Sequence, residues 1–243
     1  MTESAALSEL LPDAVVRYAA HDSGVIDLHL PSEPASTLIF LVHGGFWKQH
    51  YDRTHTRAQA RALALAGYLV ATPEYRRVGG GGGWPVTGDD VAAAYEALPG
   101  LLHGLGLTHD RVVTMGHSAG GHLVLWLAAQ DVTAPPARTV ALAPVADLAL
   151  ARSLSLGSDA VDALLGGADL AAADPNQLLT EARDVVLVHG DRDDAVPVEL
   201  ARSFVAAHPW ADLVELPDVG HYEFLDPTSA PWHAVTDALG PAR

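Results

Sequence analysis

Gly116-His117-Ser118-Ala119-Gly120 follows directly on the apolar run Arg111 to Met115 and leads into the helix-like run His122 to Gln130. The pattern is G-x-S-x-G in a strand-to-helix setting, and that setting gives it chemical content. A serine hydroxyl is a weak nucleophile, so it must be raised clear of a sheet and offered to a base. A sharp turn does this at the cost of unusual dihedrals at the serine. Glycine on each flank keeps Cβ atoms out of the crowded turn. Ser118 is therefore a candidate nucleophile.

Outward from this turn, the chain reads as alternating strands and helices. Val15 to Ala19 and Val25 to Leu30 form two short strands about the turn His21-Asp22-Ser23-Gly24. Leu38 to Val42 is a continuous apolar run, as expected for a strand buried on both faces. Strands are also expected at Tyr68 to Thr72, Arg111 to Met115, Thr139 to Ala143, Val185 to His189 and Leu213 to Leu216. Helices are expected at Thr54 to Ala66, Asp89 to Leu98, Ala119 to Gln130, Val198 to Ala207 and Trp232 to Leu239. An antiparallel start followed by such alternation implies an α/β domain over 1–243, an eight-stranded, mostly parallel sheet with helices on both faces. Between Val145 and Thr180 the alternation lapses, which makes 145–180 a candidate small lid. The run Gly79 to Gly83 lacks the Lys-Ser/Thr ending of a phosphate loop and reads as a flexible surface loop or a mobile loop at a pocket mouth.

In an open α/β sheet, ligands sit beyond the carboxyl ends of the strands, so the loops there carry the chemistry. His43-Gly44-Gly45-Phe46-Trp47 follows the third strand. Its paired glycines let backbone N–H groups approach a substrate, as stabilising a developing oxyanion requires. The candidate donors are the amides of Gly45 or Phe46, plus Ala119. His189-Gly190-Asp191-Arg192-Asp193-Asp194 follows the strand at Val185 and offers three aspartates to orient a base. Spacing alone does not choose among them. Gly220-His221-Tyr222-Glu223-Phe224 follows the last strand and supplies His221, whose imidazole can take the serine proton and return it. Phe46, Trp47, Trp84 and Tyr222 are candidates for the wall of an apolar pocket.

Composition narrows the alternatives. A formal net charge of −16 disfavours nucleic acid as a partner. The absence of cysteine removes disulfides and thiolate metal sites. Despite 13 histidines there is no H-E-x-x-H, and the pairs His117/His122 and His103/His109 lack i, i+4 spacing, so no catalytic metal is expected. No glycine pattern suits a dinucleotide, so no cofactor is expected. Met1 to Leu11 lacks the basic and apolar regions of a signal peptide, and no run of about 18 apolar residues suggests a membrane span. A cytoplasmic protein is the default expectation.

HGGFW (His43 to Trp47), EYR (Glu74 to Arg76), GHSAGG (Gly116 to Gly121), HGDRDDAVP (His189 to Pro197) and GHYEF (Gly220 to Phe224) together resemble the α/β-hydrolase superfamily. Within it they are similar to the esterase, lipase and arylformamidase branch. Phe46 in the first motif and His117 in the elbow favour the arylformamidase-like (kynurenine formamidase-like) side over the hormone-sensitive-lipase side. The resemblance selects Asp193 as the acid, three residues after the glycine in G-x-x-D-x-x-V-P. It implies a Ser118–His221–Asp193 triad, an acyl-enzyme intermediate, and a small-molecule ester or amide as substrate. A monomer or homodimer is the expectation for assembly. The expected activity is carboxylesterase-like, with arylformamidase as the alternative. A peptidase is disfavoured because such enzymes usually carry a large extra domain. A hydrolase fold used only to bind a ligand is the alternative of another class.

Overall fold

In a computed structural model, residues 10–242 are described. Residues 1–9, and with them most of the stretch read above for a leader, lie outside the described residues. The eight expected strands are present. They are β1 (Ala14–Arg17), β2 (Val25–His29), β3 (Thr37–Val42), β4 (Leu69–Pro73), β5 (Arg111–His117), β6 (Arg138–Leu142), β7 (Val185–Gly190) and β8 (Asp212–Leu216). They form one sheet in the order β1-β2-β4-β3-β5-β6-β7-β8. β1 and β2, and β2 and β4, pair antiparallel, and every other pair is parallel.

The two-residue period of a strand sends alternate side chains to opposite faces. In β3, Leu38, Phe40 and Val42 enter one apolar cluster while Ile39 and Leu41 enter another. The first cluster lies beneath α2 (Val86–Gly104) and α3 (Ala119–Ala128); the second lies beneath α1 (Arg57–Leu65) and α8 (Trp232–Leu239). A third cluster packs α7 (Glu199–Ala207) against β6 and β7 through Phe204, Ala141 and Leu187. From Leu38 to Val42, β3 can therefore be apolar at every position, because neither face meets water.

Two helices differ from expectation. The expected helix at Thr54 to Ala66 begins as a 3₁₀ turn, Arg53–Thr56, whose first amides are capped by Asp52 accepting from Thr54 N at 2.9 Å. α2 does not stop at Leu98 but runs through Pro99 to Gly104. Proline removes one backbone donor, yet the buried stripe Val91, Ala94, Tyr95, Leu98 and Leu102 continues past it at helical spacing. Burial of that stripe outweighs the lost bond.

Segment 145–180 contains α4 (Leu148–Ser153), α5 (Leu156–Leu165), a 3₁₀ turn at Leu170–Ala172 and α6 (Pro175–Leu178). Its Leu148, Ala151, Val161 and Leu164 belong to the same core cluster as α2 and α3. The chain enters α5 through Gly157, Ser158 and Asp159, all with φ near +60°.

The glycine run is a wound turn. Gly80 N and Gly82 N both donate to Arg77 O, and Gly79, Gly81 and Gly83 have positive φ. Its approach is stitched to the loop after β3: Val78 N donates to Trp47 O at 2.9 Å, and Gln49 N donates to Val78 O at 3.0 Å.

Candidate active site

Ser118 sits between β5 and α3 with φ 56° and ψ −118°. A non-glycine residue in that region is strained by about 1–3 kcal/mol and persists only where its surroundings hold it. Here Ser118 N donates to Leu142 O at 2.8 Å, and Ser118 O accepts from His122 N at 3.1 Å. The flanking glycines are required by space. A Cβ on Gly116 would stand 2.2 Å from Gly120 O, and one on Gly120 would stand 2.1 Å from Val42 O. The elbow thus wedges directly against the end of β3.

The loop after β3 carries three successive residues of positive φ: Gly45 at 108°, Phe46 at 50° and Trp47 at 56°. Tyr75 donates from its hydroxyl to His43 O at 2.8 Å. Trp47 Nε1 donates to His122 Nδ1 at 3.2 Å, while His122 Nε2 donates to Ala173 O at 2.9 Å. Lys48 Nζ donates to Gly157 O at 2.7 Å, and a Cβ on Gly157 would meet the Phe46 ring at 2.6 Å. Among the described residues, the amides of Phe46 and Ala119 donate to no protein acceptor. Free donors on a loop so fixed are what an oxyanion would need.

Beneath this loop lies a buried charged group. Glu74 pairs with Arg77, and its other oxygen accepts from Arg53 N at 3.1 Å. Arg77 also reaches His43 Nε2 at 3.2 Å. Burial, with Arg77 beside it, pushes the His43 pKa down to about 3, so the ring is neutral. Buried charges in proteins are paired, and these pairs hold the base of the loop in place.

Of the three aspartates, Asp193 faces the histidine. Its Oδ2 lies 2.6 Å from His221 Nδ1 and 3.2 Å from His189 Nε2. Its Oδ1 accepts from Ala195 N at 3.0 Å and Val196 N at 2.7 Å. Burial alone would raise its pKa, but the bonds from His189, His221 and Val196 outweigh that and hold it below the usual carboxylate range. Asp191 and Asp194 are exposed, and Asp191 accepts from Asp218 N at 2.7 Å. A carboxylate only accepts, so the neutral His221 ring carries its proton on Nδ1 and leaves Nε2 unprotonated.

Ser118 and His221 line one cavity of about 260 Å³ together with Gly45, Phe46, Tyr51, His55, His117, Tyr222 and Leu225. The structure thus brings Phe46 and Tyr222 to the cavity. It places Trp47 and Trp84 elsewhere: Trp47 is fully buried, and Trp84 packs edge-on against His122 and Trp126. No residue of segment 145–180 or of the glycine run lines the cavity. Tyr51, His55 and Leu225 were not expected there. His55 packs edge-on against His43, and burial, with His43 nearby, lowers its pKa to about 4. No metal-ligand cluster occurs among the described residues, and none of their helices is long and apolar enough to cross a membrane.

A family model described as the prolyl oligopeptidase family matches residues 85–222, from the start of α2 to the candidate base. The chain belongs to the prolyl oligopeptidase family. The BD-FAE model also matches this family member, over residues 26–135. The prolyl oligopeptidase family member is 27% identical to Esterase LipC of Mycobacterium tuberculosis (strain ATCC 25618 / H37Rv) over 237 residues, which is 81% of this chain and 55% of that one. The chain thus spans about half the length of that curated relative. Its fold is the α/β-hydrolase fold. It superposes on a truncated carbohydrate esterase from gut microbiota with TM-score 0.79 at 19% identity, covering 93% of this chain and 95% of the other. It matches esterase B from Lactobacillus Rhamnosis (HN001) with TM-score 0.79 at 20% identity, covering 96% and 88%.

Proposed function

We propose that the protein is a serine ester hydrolase acting on small, uncharged esters, with a short acyl or an aryl group, by acyl transfer through Ser118. The observation that carries this reading is the 2.6 Å Asp193–His221 contact in a site where Ser118, on its strained elbow, shares His221's cavity. His221 Nε2 takes the Ser118 proton as Oγ attacks the ester carbonyl. The amides of Ala119 and of Gly45 or Phe46 stabilise the oxyanion. His221 returns the proton to the departing alcohol, and water, activated by the same ring, frees the acid.

The cavity supports this choice of substrate class. At about 260 Å³ it sits at or below the small end of ligand pockets. Its lining contains no Asp, Glu, Lys or Arg, so a charged substrate would bury its charge unpaired. A neutral ester escapes that penalty, whereas an aryl formamide bearing an amino-acid group does not. Faster turnover of N-formylkynurenine than of p-nitrophenyl acetate would reverse this ranking. For the mechanism, Ser118→Ala should fold and lose p-nitrophenyl acetate hydrolysis and fluorophosphonate labelling. Retained turnover in that variant would remove Ser118 as the nucleophile.

A further inference from the structure

We propose that His117 is a positioning residue, whose Nε2–H grips the backbone carbonyl of His221 and so sets the height at which that ring faces Ser118. The inference rests on the acyl-transfer reading of Ser118 and His221.

His117 ends β5, paired with Leu142 of β6, and is buried. Its Nε2 lies 2.9 Å from His221 O, across 104 residues of chain. A carbonyl only accepts, so the His117 ring must hold its proton on Nε2. The two rings also pack against each other, with centroids 4.5 Å apart and planes at 47°. On its other side, His117 touches the oxyanion loop: a Cβ on Gly44 would meet His117 O at 2.6 Å. One residue therefore joins the elbow, the histidine loop and the oxyanion loop.

Asp193 does not make this contact redundant. Its bond to Nδ1 fixes the rotation of the His221 ring, but the ring hangs from a backbone that Asp193 does not touch. Elsewhere in that loop, Gly220 N donates to Glu223 Oε1 at 3.1 Å in an exposed position. Among the described residues, His117 is the donor that holds the His221 carbonyl. Burial, and His221 beside it, lower the His117 pKa to about 3, so the ring stays neutral. A neutral neighbour adds no positive charge next to the imidazolium that forms during acyl transfer.

The test separates the donor from the ring. His117→Phe keeps a ring of similar shape without an N–H, whereas His117→Gln loses the ring but restores an N–H at comparable reach. His117→Phe should lower kcat about 10- to 100-fold with little change in KM, the effect of misplacing a reacting group by a fraction of an ångström to an ångström. It should also shift or broaden the downfield proton resonance of the His221–Asp193 bond. His117→Gln should recover most of both. Wild-type kcat and an unmoved resonance in His117→Phe would overturn the proposal, and so would a His117→Gln variant as impaired as His117→Phe. If His117→Phe does not fold, nitrogen NMR on the wild-type protein decides. A neutral Nε2–H tautomer at His117 is expected, and a Nδ1–H tautomer or a charged ring at neutral pH would overturn the proposal. Ser118→Ala run in parallel keeps the two readings apart. Turnover surviving there would sink the acyl-transfer reading, while the tautomer would still report on the His117 contact.

Discussion

Asp193→Asn is the most demanding test of the site, because the carboxylate accepts on both oxygens. Oδ1 faces the amides of Ala195 and Val196, and Oδ2 faces the ring N–H groups of His221 and His189. An amide of the same shape can accept on one side only. With its oxygen toward the Ala195 and Val196 amides, its NH₂ meets the two histidines. His221 must then accept at Nδ1 and carry its proton on Nε2, so it cannot take the Ser118 proton. A base locked in the wrong tautomer lowers kcat about 10,000-fold. At the other ring, His189 Nε2–H keeps its 2.8 Å bond to Val196 O, so the second N–H of the amide is left without an acceptor, at about 1–3 kcal/mol for an unsatisfied buried group. At about 2–4 °C per kcal/mol for a chain of this size, Tm should fall by about 2–12 °C. The loss also depends on pH. The folded pKa of Asp193 lies below its unfolded value near 3.9, so its stabilisation is present above that value and fades as pH falls through the folded one. Wild type and Asp193→Asn should therefore differ most in Tm above about pH 4 and converge in stronger acid. The assay is kcat for p-nitrophenyl acetate in mildly alkaline buffer, with calorimetric Tm across the acid range. A kcat within tenfold of wild type would refute Asp193 as the residue that orients the base. A Tm gap that stays constant into acid would refute the ionisation argument.

Two further substitutions probe the frame and the mouth of the site. Gly120→Ala places a Cβ 2.1 Å from Val42 O and 2.6 Å from His43 O, both backbone atoms that cannot rotate away. It should cost about 3 kcal/mol or more in urea unfolding, and a loss under about 1 kcal/mol would mean the elbow and β3 are not wedged together. Tyr222 is 65% exposed while lining the cavity. Tyr222→Ala should leave stability within about 0.5 kcal/mol and raise KM for aryl esters several-fold, and an unchanged KM would remove Tyr222 from the binding surface.

The middle of the sheet was legible because its strands are buried on both faces and so spell apolar runs between turn residues, whereas the edge strands β1 and β8 are half-buried or exposed. β3 and β7 are examples, and the loops that follow them carry the site. The order in which strands lie in the sheet follows from the same alternation only as far as a parallel core. Where the sequence misled, a local signal lost to a tertiary one. Pro99-Gly100 is a fair stop signal, but Leu102 had a core to enter. Trp47, in the loop after β3, and Trp84, after the glycine run, suit a pocket wall as residue types, yet large apolar rings beside such a loop serve equally well to brace it, as the Trp47–His122 bond shows. His55 and Tyr51 reach the cavity only because the chain after β3 folds back over the elbow, and no spacing encodes that return. The Glu74–Arg77 pair left a readable trace, since opposite charges beside a buried strand end must pair to be tolerated there.

The sheet order has a kinetic consequence. The elbow belongs to β5 near the centre, while His221 follows β8 at the edge, with β6 and β7 between them. A chain in which β8 has not yet docked can hold a finished elbow and no base. The moment at which the serine turns reactive during refolding therefore marks arrival of the edge strand and not completion of the sheet's middle. His221 meets the elbow across 104 residues of chain, and contacts so distant in sequence form slowly. Fluorophosphonate labelling should lag behind the burial of Trp47, and labelling that keeps pace with it would contradict this order.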